Sequence, residues 1–65
     1  MNAPAKLREW INSTGRKQTW VSEQIGVDNS RLSAWLTGRN IPSGAARKSL
    51  ADLTGLDIAE KEAWV

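Results

Sequence analysis

Apolar residues recur along this chain at spacings of three and four, the period of an amphipathic helix. Leu7, Trp10 and Ile11 fall at i, i+3 and i+4, and Leu32, Trp35 and Leu36 repeat that spacing. Val21 and Ile25 stand four apart, and Leu50 and Leu53 stand three apart. No two-residue alternation of useful length suggests a strand. The pattern predicts an all-α chain of five short helices. Pro4 suits the first turn of helix one, where a missing N–H costs nothing, and Gly15 ends that helix. Helix two runs from Gln18 to Ile25 and stops at Gly26. Asp28 is placed to cap helix three by accepting bonds from its free N–H groups, and that helix stops before Gly38. Ser43 caps helix four, which continues through Leu50 and Leu53 to Gly55. Asp57 and Glu60 have the spacing of a capping box for a last turn or two, Ile58 to Trp64.

The stretch from Gln18 to Gly38 carries more than helix signals. Two helices crossing at about 90–120° through a turn of three or four residues make a helix-turn-helix. That crossing needs a small residue at the close approach, and Ser22 is there. The turn needs a residue that accepts positive φ, and Gly26 follows four positions later. The inward positions must be apolar, and Val21, Ile25, Val27, Leu32 and Trp35 fill them.

With 65 residues there is room for one domain, and no room for a separate sensor. A chain this short buries only about 60% of its unfolded surface, so its stability is modest. It has no Cys and no His, which removes disulfides, thiolate and imidazole chemistry, and the commonest metal ligand. The composition therefore argues against an enzyme, and no cofactor, metal or small-molecule ligand is expected. No apolar run approaches the roughly 20 residues of a membrane span, and Met1 to Lys6 lack the apolar core of a secretory signal. A cytoplasmic protein is the expectation.

Charge is uneven along the chain. Residues 1–48 carry eight bases against three acids, whereas residues 49–65 carry Lys61 against Asp52, Asp57, Glu60 and Glu62. A basic body with an acidic tail suits a protein that turns one face to phosphates. An ordinary solvated surface of mixed charge would give the same count.

Gln18, Val21, Ser22, Gly26, Val27, Asp28, Leu32, Ser33, Trp35 and Gly38 together resemble the pattern of the Cro and lambda-repressor (XRE-type) helix-turn-helix family. The run Gly38-Arg39-Asn40-Ile41-Pro42-Ser43 is similar to that family's basic loop before its fourth helix. The one notable departure is Ser22, where the family usually has Ala. The resemblance implies a compact five-helix lambda-repressor-like domain over residues 1–65, with the helix-turn-helix at about 18–38.

It also implies that helix three lies in the major groove of double-stranded DNA, its N-terminal residues on base edges. The outward residues are Asn29, Ser30, Ser33 and Ala34, with Asp28 at the lip. Asn pairs with adenine through two bonds, and such a pair discriminates by about 1–3 kcal/mol. Serines serve either kind of base, and Ala34 offers a methyl group. Arg31 reaches either a guanine or a phosphate. Asp28, repelled by phosphates, reads as a cap. Gln18 resembles the family's phosphate-binding Gln at a helix N-terminus, with Arg16, Lys17 and Thr19 beside it. Thr37, Arg39 and Asn40 would reach the backbone from the other side, with Arg47 and Lys48 as further candidates.

The four tryptophans divide by position. Trp35 and Trp10 read as core. Trp20 is expected to be partly exposed, covering the first helix or touching the DNA backbone. Trp64, near the chain end, either meets a second subunit or packs back on its own domain. The implied activity is that of a Cro-like repressor set by its own concentration. It would bind a palindromic operator as a homodimer, with half-sites about 34 Å apart. The expected dimer contact is the 56–65 segment, through Leu56, Ile58, Trp64 and Val65. The competing reading is a protein-binding adaptor, antirepressor or antitoxin in type, on the same fold. That reading would favour apolar residues at positions 29, 30 and 33, where this chain has Asn, Ser and Ser.

Overall fold

Helix α1 (Ala3–Thr14) starts where Asn2 accepts a hydrogen bond from the Ala5 N–H at 3.1 Å, with Pro4 in the first turn. The cap is Asn2, one position outside the start that Pro4 alone suggests. A computed structural model describes residues 2–65. α2 (Gln18–Ile25), α3 (Asn29–Leu36) and α4 (Gly44–Thr54) follow, and a 3₁₀ turn (Lys61–Trp64) ends the chain. The described residues thus form four α-helices and one short turn, in an all-helical arrangement with no strand.

The expected stripes supply the core, except that Trp10, read as core, is only half-buried. Leu7, Val21, Leu32, Leu50 and Ile58 are fully buried, joined by Ile11, Trp35 and Leu36. Trp10, Trp20, Ile25 and Val27 pack on this core while half-buried. α3 lies against both α1 and α2, α2 also meets α4, and α1 meets the 3₁₀ turn. The α2–α3 pair is therefore held from behind by the other elements.

The α2–α3 turn follows the chemistry expected of it. Gly26 has φ +74°, a conformation costing about 1–2 kcal/mol for other L-residues. The Val27 N–H closes the turn on the Ser22 carbonyl at 3.0 Å. Ser22 is 3% exposed, and its hydroxyl donates to the Thr19 carbonyl at 2.8 Å. Its own helix thus satisfies the extra hydroxyl, and a serine fits where the family usually has alanine.

Three expectations need correction. Asp28 occupies the N-cap position of α3 with extended backbone, but its side chain makes no capping bond. Ser43, by contrast, accepts from the Ala46 N–H at 3.3 Å, as expected. The final helix from Ile58 is reduced to the 3₁₀ turn, and Glu60 at its start makes no capping bond. Burial of Trp64 accounts for this. The ring is 6% exposed, and its indole N–H donates to the Ile58 carbonyl at 2.7 Å. A buried indole N–H requires an acceptor, and holding the ring against the core over that carbonyl sets the path of the chain end. Lastly, Ile58 and Trp64 sit inside this domain's own core, so neither lies on a surface that a second subunit could cover. Of the expected dimer residues, Leu56 stays half-buried and Val65 is 76% exposed.

Candidate nucleic-acid interface

One face gathers the start of α2, the exposed side of α3 and the loop after it. Asn29, Ser30 and Arg31 are exposed in the first turn of α3, and Ser33 and Ala34 are half-buried one turn on. Gln18, the first residue of α2, donates from Nε2 to Asn29 Oδ1 at 3.0 Å and makes a longer bond to the Asn29 carbonyl at 3.4 Å. The two helix starts are tied side by side. The bond fixes the Asn29 amide and leaves one lone pair on Oδ1 and both Nδ2 hydrogens for an outside partner. Sequence placed these two residues in different roles, one on a base and one on a phosphate, and the structure couples them.

Neither helix start is closed by a cap side chain. Lys17 precedes α2 in extended conformation without a side-chain bond, and Asp28 does the same for α3. First-turn N–H groups left open at a helix N-terminus carry partial positive charge and suit an anion.

Arg16 adds a contact that the sequence reading missed. Its guanidinium lies over the Trp20 ring, 4.1 Å from the centroid. The stack places a cation beside Lys17 and Thr19 and covers part of the Trp20 ring that the core leaves open. The available signal was the i, i+4 spacing of Arg16 and Trp20.

On the other flank, the loop folds back on the end of α3. The Arg39 and Asn40 N–H groups both reach the Ala34 carbonyl, at 2.9 and 3.3 Å, and the Thr37 hydroxyl donates to the Ser33 carbonyl at 3.1 Å. These bonds fix the backbone and leave the Arg39 and Asn40 side chains exposed. Lys48 is exposed too, but Arg47 is not available as the sequence suggested. Its Nε donates to the Ala59 carbonyl at 3.0 Å and its Nη1 to the Pro42 carbonyl at 2.9 Å. Arg47 is a structural strut. Arg8, which the sequence reading left without a role, donates from Nη1 to the Leu36 carbonyl at the end of α3.

The assembled face presents amides and hydroxyls in the middle, with cations on both flanks. Such a surface hydrogen-bonds polar edges at its centre and attracts anions at its rim. Among the described residues, no three His, Cys, Asp or Glu side chains are grouped to hold a metal, and no helix is long and apolar enough to cross a membrane.

No curated protein and no solved structure matches this chain significantly. A family model described as a helix-turn-helix domain matches residues 5–64, from the first turn of α1 to Trp64. With α2, the Gly26 turn and α3 set as that motif requires, the chain belongs to the helix-turn-helix domain family, of the XRE-like type found in bacterial and phage regulators.

Proposed function

We propose that this protein is a sequence-specific DNA-binding transcriptional regulator, a Cro-like repressor that occupies a palindromic operator. The observation that carries the reading is the Gln18–Asn29 bond, which joins a phosphate-side helix start to a base-side one. In this reading α3 enters the major groove. Asn29, Ser30, Ser33 and Ala34 face base edges, and Arg31 faces a guanine or the adjoining phosphate. Gln18, Thr19, Arg16 and Lys17 hold one strand's backbone, while Thr37, Arg39 and Asn40 hold the other side of the groove.

Dimensions favour two copies per site. The domain measures 26 × 22 × 20 Å, less than the roughly 34 Å between successive half-sites on one face of DNA. One copy covers one half-site, so a homodimer forms on the operator. With Ile58 and Trp64 buried, the contact between copies falls to Leu56 and Val65. The protein acts in the bacterial cytoplasm, on the nucleoid, with no small molecule needed for binding.

Fluorescence anisotropy with a pool of random duplexes, titrated with salt and followed by selection, tests the reading. Enrichment of an inverted repeat, with affinity falling steeply as salt rises, is the expected result. Absence of any sequence preference at low salt would sink it and direct attention to protein partners.

A further inference from the structure

An open notch of about 230 Å³ lies between α1 and the C-terminal half of α3. Arg8 and Asn12 line it from α1, Gln18 from α2, and Ser33 and Thr37 from α3. We propose that this notch is a phosphodiester seat for the DNA backbone, in which Arg8 supplies the positive charge. The proposal rests on the DNA-binding reading above and extends it to α1, to which that reading assigns no contact.

Three features support it. First, the Leu36 carbonyl already anchors the Arg8 guanidinium. One N–H is used, and the remaining donors of the planar fork stay available to an anion. Second, the Asn12 amide and the Ser33 hydroxyl add groups able to donate, while the Gln18 amide is held by Asn29 and the Thr37 hydroxyl by the Ser33 and Ala34 carbonyls. Third, no carboxylate lines the notch. Glu9, next to Arg8 in the chain, lines a separate hollow with Lys6, Trp10 and Asp57. α1 thus divides its charges, with the unopposed cation on the α3 side. A cation plus neutral donors, without an acid, fits a singly charged oxyanion. Gln18 belongs to the proposed backbone-holding residues and Ser33 to the proposed base-reading ones, so the notch is continuous with the proposed DNA contacts and its occupant is a backbone phosphate, not a free one.

The test uses the selected operator and the full chain. Arg8→Gln should lower affinity about tenfold on all sequences alike. It should also reduce the slope of log K against log salt by about 0.9, the share of one released counterion. Arg8→Lys should restore the slope. Asn12→Asp breaks no bond of the fold and places an anion in the notch, and should itself cost about tenfold in affinity.

Replacing the operator phosphates one at a time by neutral methylphosphonates separates a contact from a loss of folding. One position should weaken wild type and have no further effect on Arg8→Gln. An unchanged slope in Arg8→Gln, or full additivity at every methylphosphonate, would overturn the seat while leaving the operator reading intact. A wild type without sequence preference would overturn both. A thermal shift by inorganic phosphate at constant ionic strength, dependent on Arg8 and unaccompanied by any change in DNA affinity, would assign the notch to free phosphate instead.

Discussion

The segment from Gln18 to Gly38 and the segment from Gly55 to Val65 are organised by different means. In the first, each local signal agrees with the global fold. Apolar positions fall at helical spacing, Gly26 takes the left-handed conformation, and the Val27 N–H closes the turn. In the second, a capping-box pattern exists in the sequence but is not used, and the backbone follows one buried aromatic ring. Short-range chemistry shapes the candidate face, whereas tertiary contact shapes the end of the chain.

The sharpest way to break this contrast is Trp64→Ala. Removing a buried indole and its bond to the Ile58 carbonyl should cost about 3–5 kcal/mol, read as a lower urea midpoint by circular dichroism. A loss below about 1 kcal/mol would mean that the ring does not organise the C-terminal segment.

Asn29→Ala comes next, on the other side of the comparison. Discrimination at one base pair should fall by about 1–3 kcal/mol, measured by anisotropy against operators substituted at each position. Folding stability should drop by no more than about 1 kcal/mol, the net worth of the Gln18 bond. A variant that kept the full base preference would remove Asn29 from the reading face.

Gly26→Ala should destabilise by about 1–2 kcal/mol through φ alone, since a Cβ there meets nothing within 4 Å. A neutral result in a thermal melt would show that the turn readjusts around the residue.

The smallest effects compare two helix starts. Ser43→Ala should cost about 1 kcal/mol, because a capping bond is lost. Asp28→Ala should cost less than about 0.5 kcal/mol, because no capping bond is present and only the interaction with the helix dipole goes. Equal losses in parallel denaturations would mean that Asp28 caps α3 after all.

What could be read from the sequence follows the same division. The helix bounds of α2 and α3, the buried stripe and the role of Gly26 depend on neighbours within four residues, and periodicity carries that information. The candidate face was legible as a set of residue types. The Gln18–Asn29 bond was not, because it joins residues eleven apart across a turn whose angle no local pattern gives. Arg8 and Arg47 are equivalent in composition to any surface arginine. Only the fold brings one to the end of α3 and gives the other two carbonyls. Trp64 was undecided between two environments because a chain-end tryptophan looks alike in both. Burial by α1 decides it, and that is long-range information.

The two bonds of Arg47 have a mechanical consequence. Pro42 ends the loop that carries Arg39 and Asn40, and Ala59 lies in the tail, so a single guanidinium splints two stretches seventeen residues apart in sequence. Displacement of the tail is therefore felt at the loop. Cutting the chain before Ala59 removes none of the side chains proposed to touch DNA, yet it takes away one Arg47 acceptor together with the buried Trp64, so the loop loses its splint and the core loses a ring. The acidic tail is thus tied to the loop as a guy line is tied to a mast, through one guanidinium.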